Sequence, residues 1–203
     1  MNNHHYFITG IGTDIGKTIV SAILVEHLNA EYWKPIQAGN LEFTDSDRIN
    51  ELTNCRKIHK ERFLLTQPMS PHASAKIDQI NMVLDDFNPP KTIEPLIIEG
   101  AGGLMVPINN KDMVLNLIKY MSFEVIVVSQ HYLGSINHTL LTIEVLKNKG
   151  IPIKGIIFNG EPNSETEITI ESYTGLQILG RIHQHVNISK AVIINEAKKM
   201  NIK

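Results

Sequence analysis

The sequence predicts an α/β fold, a single-domain P-loop fold with a mostly parallel central sheet flanked by helices. The first observation is a glycine-rich stretch at residues 10–18, which follows an apolar run and precedes a helical pattern. The second is a set of short, mainly apolar runs at residues 95–98, 123–129 and 153–158, typical of strands buried on both faces of a parallel sheet. The third is the alternation of such runs with helical patterns, which favours parallel strands joined by helices.

The first elements follow from local signals. We expect a strand at residues 5–9 and a helix at 17–29, where apolar residues recur at helical spacing. A short strand at 32–34 ends at Pro35, which cannot donate to a sheet ladder. A helix at 44–52 begins with a threonine that can cap it and with acids in its first turn.

The rest of the chain continues the alternation after a less regular segment. Residues 55–72 contain two prolines and are predicted to be irregular, residues 77–87 have weak helical spacing, and residues 99–103 are predicted to form a loop. Further helices are expected at 112–121, 133–149, 165–173 and 191–201, with strands at 95–98, 123–129, 153–158 and 177–180. No repeat, linker or boundary is evident, so residues 1–203 are expected to form one domain.

Composition excludes several classes of function. The chain has 203 residues and a net charge of −2, so no strong field would recruit nucleic acid or an acidic membrane. Cys55 is the single cysteine, which excludes an internal disulfide framework and fits a reducing compartment. No run approaches the roughly 20 apolar residues of a membrane span, and the first residues lack the pattern of a signal peptide. We therefore expect a cytoplasmic protein that binds neither nucleic acid nor membrane.

The glycine-rich stretch predicts a phosphate site. Such a loop directs backbone N–H groups at phosphate oxygens, and the following helix adds its positive end. Lys17 would reach the β- and γ-phosphates, and the Thr18 hydroxyl would bind Mg²⁺. Gly10 lies six positions before Gly16, one more than the strict pattern, so a plain glycine-rich turn is the alternative.

Several polar residues at strand ends are candidates for chemistry. Glu99 follows an apolar strand and suits a position near Mg²⁺, although a solvated carboxylate would also end a strand. Asp45 and Asp47 are either metal ligands or first-turn helix acids. Lys34 could stabilise anionic charge opposite Lys17, or it could simply lie at the solvent-exposed end of its strand.

Later in the chain, three more polar residues have open interpretations. Asn159 follows a buried strand and could read a nucleobase edge or stabilise a turn. Asn137 could be only a polar residue in the first turn of a helix, and His138 is more readily a packed or capping histidine than a catalyst.

Taken together, these motifs resemble the dethiobiotin synthetase family, whose members are ATP-dependent enzymes of biotin biosynthesis. The matching segments are residues 7–10, 12–18, 34–39, 46–47, 68–72, 98–103, 133–142 and 155–159. Their order is that of the family, and the longer step from Gly10 to Gly16 is shared by its members. The resemblance implies a single α/β domain, a homodimer, and a ligase that joins CO₂ to 7,8-diaminopelargonate with ATP and Mg²⁺, giving dethiobiotin, ADP and phosphate.

The resemblance also implies a role for individual residues. The catalytic residues would be Lys34, Lys17 and Thr13. The ATP site would comprise Gly12, Thr13, Asp14, Ile15, Gly16, Lys17, Thr18, Asp47, Glu99, Gly100, Ala101, Gly102, Asn159 and Gly160. The substrate would contact Lys34, Ala38, Gly134, Ser135, Ile136 and Asn137, the last four from the neighbouring subunit near the interface. The Mg²⁺ ligands would be Thr18, Asp47 and Glu99.

Three positions depart from the family pattern. Ala38 stands where a serine or threonine often touches the substrate, and Asp14 stands where glutamate is frequent. His183 replaces a frequent proline in the segment expected near the base. The alternative function is a partitioning-type switch ATPase of the same fold, but that class typically carries an additional lysine early in the loop, where this chain has Gly10, Ile11 and Gly12.

Overall fold

The computed structural model describes residues 5–202, which form alternating strands and helices. The strands are β1 (His5–Gly10), β2 (Glu31–Trp33), β3 (Ile36–Ala38), β4 (Ile58–His59), β5 (Phe63–Leu65), β6 (Leu96–Gly103), β7 (Glu124–Gln130), β8 (Ile153–Asn159) and β9 (Ile178–Ile182). The helices are α1 (Lys17–Leu28), α2 (Asp45–Leu52), α3 (Pro71–Ile77), α4 (Val114–Met121), α5 (Ser135–Asn148), α6 (Ser164–Thr174) and α7 (Lys190–Ala197). The predicted α/β class is confirmed.

The central sheet of the described chain has seven strands in the order β4-β2-β6-β1-β7-β8-β9. Every pairing in it is parallel. A separate parallel pair joins β3 to β5. Since β1 lies between β6 and β7, the loop that follows β1 opens at the carboxyl edge of the sheet, where open α/β sheets bind ligands.

Alternating side chains of β1 enter two apolar cores, one on each face of the sheet. Phe7 packs in a core with residues of α4, α5 and α6. Tyr6 and Ile8 pack in the other core with residues of α1, α2 and α7. All three side chains are fully buried. A strand buried on both faces must be apolar at nearly every position, which explains why continuous apolar runs located the sheet correctly.

Three predicted elements were wrong. The weak helical spacing at 77–87 corresponds only to a single 3-10 turn (Leu84–Asp86) and the last residue of α3, which begins earlier, with Pro71 in its first turn. The segment predicted to be irregular, 55–72, contains two short strands and the start of that helix. The loop expected at 99–103 is the second half of β6, where Glu99 pairs with Ile8 of β1. The sequence did not predict this half of the strand, because glycine has a weak preference for strands. In the structure, pairing with the neighbouring strand outweighs that weak preference.

Within residues 5–202, no helix combines the length and apolar character needed to cross a membrane. The expectations about a signal peptide and about one domain extend over residues 1–4 and 203, which lie outside the described residues.

Candidate nucleotide-binding and active site

The glycine-rich loop joins β1 directly to α1. Gly16, at the start of the helix, has a φ of 90°, a conformation that residues with a Cβ rarely adopt. A Cβ there would lie 2.2 Å from Nδ2 of Asn159, which itself donates a hydrogen bond of 2.9 Å to the Ile15 carbonyl. The end of β8 therefore holds the loop against the start of α1, and glycine is required at position 16.

Lys17 is the first residue of α1 and points back over the loop. Its Nζ donates a 2.7 Å hydrogen bond to the Gly12 carbonyl, and the residue is 8 % exposed. The pKa of Lys17 is lowered to about 8, chiefly by burial; the nearby Glu99 carboxylate offsets this only in part, and the charge of Lys34 adds to the lowering. A buried ammonium held over a loop of N–H groups is suited to receive phosphate oxygens.

Glu99 lies at the centre of the site and is 1 % exposed. Its Oε1 accepts hydrogen bonds of 2.9 Å from Thr18 Oγ1 and from Lys34 Nζ. Its Oε2 accepts a hydrogen bond of 2.9 Å from the Tyr32 hydroxyl. Burial, together with the Glu99 charge, raises the pKa of Tyr32 well above its usual range, so this hydroxyl remains a donor. The carboxylate thus ties β2, β6 and α1 together.

Lys34 is 5 % exposed and lies between two carboxylates. Its Nζ is 2.9 Å from Glu99 Oε1 and 2.7 Å from Asp45 Oδ2. Burial alone would lower the pKa of Lys34, but the two carboxylates outweigh burial and raise it above the ordinary value. The ammonium is therefore a fixed positive charge in the site.

Asp47 takes part in the cap of α2. Its Oδ2 accepts hydrogen bonds of 2.8 Å from both N and Oγ1 of Thr44, completing a capping box at the start of α2. These bonds lower the pKa of Asp47. Asp45, two residues earlier, is the acid that reaches Lys34. From the residues alone, metal binding and a helix-acid role were equally open for this pair, and the family resemblance pointed to Asp47, whose metal role stays a prediction.

A cavity of about 760 Å³, called here the phosphate-side cavity, lies in front of the loop and is lined by residues such as Lys17, Lys34, Asp45 and Glu99. Of the other predicted residues, those that also line it are Thr13, Asp14, Gly16, Thr18, Ala38, Ala101 and Gly102. Gly12, Ile15, Asp47 and Gly100 do not line it; Ile15 is buried in an apolar core, and a Cβ at Gly100 would meet Phe7. The fold thus brings the two lysines and Glu99 to one cavity.

A second cavity of about 510 Å³, called here the tail-side cavity, adjoins the first and shares Asp14 and Gly16 with it. Asn159 and Gly160 line it, as the prediction of a base site requires. Its remaining wall comes from Gln130, Glu161, residues of α1, the 182–188 segment and α7, the last including Glu196. Sequence reasoning missed Glu196, because a single acid in a helical pattern looks like a solvated surface residue.

The start of α5 lies apart from both cavities. None of the predicted substrate contacts at 134–137 lines either cavity in the described part of the chain. Leu133, just before them, is fully exposed, and Tyr132 donates to or accepts from His138 Nδ1 across 2.8 Å. The family resemblance placed this helix start on the neighbouring subunit's site, and that assignment remains a prediction.

A magnesium site is consistent with the neighbouring oxygens of Thr18 and Glu99, which are 2.9 Å apart. Mg²⁺ favours such hard oxygen ligands and usually keeps several waters while also binding phosphate oxygens. Among residues 5–202 there is no cluster of three or more His, Cys, Asp or Glu side chains that could hold a metal.

Comparison with known proteins agrees with this geometry. The AAA domain family matches residues 4–192. An ATP-dependent dethiobiotin synthetase BioD of Christiangramia forsetii is 48 % identical over 96 % of this chain and 94 % of its own length. The protein of the same name from Cytophaga hutchinsonii is 49 % identical over 96 % of both chains.

Solved structures share the fold at much lower identity. A ParA family ATPase of Chlorobium tepidum has a TM-score of 0.57 at 13 % identity, with 97 % of this chain and 99 % of that chain covered. The cell division ATPase MinD of Pyrococcus furiosus has a TM-score of 0.57 at 12 % identity, over 96 % of this chain and 97 % of that one. At such identities the likeness concerns the fold alone.

The parallel sheet, the glycine-rich loop between β1 and α1 and the buried Lys17 define a P-loop protein of the nucleotide-binding class. Within that class, identities of 48 % and 49 % over almost the whole chain are decisive. The chain belongs to the dethiobiotin synthetase family.

Proposed function

We propose that this protein is an ATP-dependent cyclo-ligase that converts 7,8-diaminopelargonate and CO₂ to dethiobiotin, with ADP and phosphate as the other products. The observation that carries the proposal is that Lys17 and Lys34 line one cavity beside the Thr18–Glu99 pair. Two ammonium groups facing one space suit a reaction in which negative charge accumulates on a phosphoryl group and a carbamate.

The loop supports nucleotide binding. Backbone N–H groups of the loop and the start of α1 would receive the phosphates, and Lys17 would exchange its 2.7 Å bond to the Gly12 carbonyl for phosphate oxygens. Bound Mg²⁺ would neutralise phosphate charge, with Thr18 and Glu99 as the residues best placed to hold it and Asp47 as a further predicted ligand.

The chemistry would proceed in three steps. One amine of the substrate adds to CO₂ and loses a proton, giving a carbamate. A carbamate oxygen attacks the γ-phosphorus, and ADP leaves as the new P–O bond forms. The second amine attacks the carbamate carbon of this mixed anhydride and loses a proton, the bond from that carbon to the phosphate oxygen breaks, phosphate leaves, and the ring closes.

The protein would contribute position and charge to these steps. Lys34 would hold the carbamate, and its ammonium is already fixed by Glu99 and Asp45. Lys17 would bridge the carbamate and the γ-phosphate, with Thr13 on the same cavity wall. Holding both reactants in one orientation replaces a slow encounter by an intramolecular step.

The remaining part of the substrate would extend toward a second subunit. Residues 134–137 would bind its carboxylate there, because the N–H groups at a helix start favour an anion. This arrangement requires a homodimer, which sedimentation or light scattering would test. A cytoplasmic location is part of the same proposal, as a biosynthetic enzyme that uses ATP requires it.

The switch-ATPase alternative has weaker support. Its solved representatives resemble this chain at 12–13 % identity, which reflects only the common fold. The early loop positions Gly10, Ile11 and Gly12 provide no lysine of the kind typical of that class.

One assay tests the proposal against this alternative. ADP release is measured with and without 7,8-diaminopelargonate and bicarbonate, and the product is identified by mass. We expect ADP formation that depends on both substrates and a product of dethiobiotin mass. ATP turnover that does not depend on the diamine would reject the ligase function and support the switch-ATPase alternative.

A further inference from the structure

The tail-side cavity contains a buried carboxylate that the reaction does not use. Glu196 of α7 lines this cavity and is only 2 % exposed. Its Oε1 lies 3.1 Å from His185 Nε2 and 2.7 Å from Lys199 Nζ. Its Oε2 is buried and has no hydrogen-bond partner in the described part of the chain. An unsatisfied buried oxygen is rare and costly, so it calls for a donor that the protein alone does not supply.

The position of the cavity indicates what that donor belongs to. The tail-side cavity shares Asp14 and Gly16 with the phosphate-side cavity, so a nucleotide whose phosphates occupy the loop can extend into it. Ile19 and Ile23 of α1 and Ile193 of α7 provide apolar walls for a flat ring. A volume of about 510 Å³ is within the range of small-molecule sites.

We propose that Glu196 selects the nucleotide base, with Oε2 accepting a hydrogen bond from the exocyclic 6-amino group of adenine. An ionised carboxylate only accepts hydrogen bonds, so it favours a base that presents an N–H group at this position. A 6-keto purine would present a lone pair to the same oxygen and leave it unsatisfied.

The partners of Oε1 support this role for Glu196. Lys199 and His185 hold one oxygen of the carboxylate and leave the other as the acceptor. Lys199 also supplies positive charge that reduces the cost of burying the carboxylate. The inference rests on the ATP-binding part of the proposed function and is independent of the diamine substrate.

The first test uses the unmodified protein and needs no variant to fold. Affinities for ATP, ITP and purine riboside triphosphate are measured by calorimetry with Mg²⁺ and without the diamine. We expect the two analogues that lack the amino group to bind roughly 10- to 100-fold more weakly than ATP, as for loss of a hydrogen bond to a charged group. Equal affinity of ATP and purine riboside triphosphate would overturn the proposal.

The second test compares Glu196→Gln with Glu167→Gln. Glu167 is a matched control, since it is buried, pairs with a histidine and an arginine, and lines neither cavity. The ratio of ATP to ITP affinity should fall at least about 10-fold in Glu196→Gln, since an amide can also donate to a keto oxygen, and should change less than about 2-fold in the control. Full discrimination in a folded Glu196→Gln protein would contradict the assignment.

The same measurements separate this inference from the proposed function. Selective ATP binding without dethiobiotin formation would reject the ligase and leave the role of Glu196 intact. Dethiobiotin formation with equal affinity for the three nucleotides would support the ligase function and reject the role of Glu196.

Discussion

The Nζ of Lys34 lies 2.7 Å from Oδ2 of Asp45, so the buried lysine that would hold the carbamate already has an anionic partner in addition to Glu99. The two carboxylates differ in accessibility: the side chain of Asp45 is 33 % exposed and that of Glu99 is 1 % exposed. Asp45 is therefore the partner that an incoming anion can displace, whereas Glu99 stays in place as part of the framework.

Lys34→Ala should abolish most of the activity. Loss of a cation placed on developing negative charge typically costs about 100- to 1000-fold in turnover. The variant should also be less stable by about 3–5 kcal/mol, because buried Glu99 loses its counter-charge. Dethiobiotin formation and urea unfolding measure the two effects, and near-normal turnover with the diamine would refute the role of Lys34.

Asp45→Asn tests whether the accessible carboxylate competes with the carbamate for Lys34. With the competing charge removed, we expect the KM for the diamine to fall several-fold while the KM for ATP changes little. Glu51→Gln is the control, because Glu51 lies on the same helix and pairs with the half-buried Arg48 instead of Lys34. A raised KM for the diamine would instead indicate that Asp45 binds the substrate.

Asp47→Asn distinguishes the two roles open to this residue. If Asp47 joins the metal, half-maximal activity should require at least about 10-fold more Mg²⁺, since carboxylates are the protein ligands that Mg²⁺ prefers. If it only caps α2, stability should fall by about 1 kcal/mol with the Mg²⁺ requirement unchanged. Mg²⁺ titration of ADP release, combined with urea unfolding, decides between them.

Gly16→Ala should remove nucleotide binding. The added Cβ would lie 2.2 Å from Asn159 Nδ2, and the φ of 90° adds a strain of about 1–3 kcal/mol. In a Gly16→Ala/Asn159→Ala protein, the shorter side chain at position 159 removes the close contact but not the backbone strain at position 16. ATP affinity should therefore recover only in part, if at all. Calorimetric titration with ATP measures both variants, and ATP affinity retained by the single variant would contradict the requirement for glycine.

Glu167 should contribute to stability in a pH-dependent way. Burial alone would raise its pKa, but hydrogen bonds from Arg181 and His131 outweigh burial and lower it below the ordinary value of a glutamate. A lowered folded-state pKa contributes stability above the unfolded-state value, and this contribution is lost as the pH falls through the folded-state pKa. As the pH is lowered from 6, the free energy of unfolding should therefore fall more steeply for the natural protein than for Glu167→Gln. Equal dependence of the two free energies on pH would exclude this contribution.

Local patterns were sufficient for most elements of the fold. The start of α1 was predicted at Lys17, and the cap of α2 at Thr44 or Asp45, of which the structure has Thr44. A glycine-rich loop and a capping residue act on their immediate neighbours, so local patterns reveal them. The second half of β6 was not predicted, since its glycines have little intrinsic strand preference and are held by pairing with β1.

The sequence by itself determined the α/β class, the position of the phosphate loop and the family, because these depend on apolar periodicity and on contiguous motifs. Only the tertiary structure decided which of two neighbouring acids contacts Lys34, and only it placed Glu196 in the cavity next to Asn159. Asp45 and Asp47 carry the same side chain two residues apart on one helix. Which of them enters the site depends on how α2 packs against α1 and α7, and such long-range packing leaves no local pattern in the sequence.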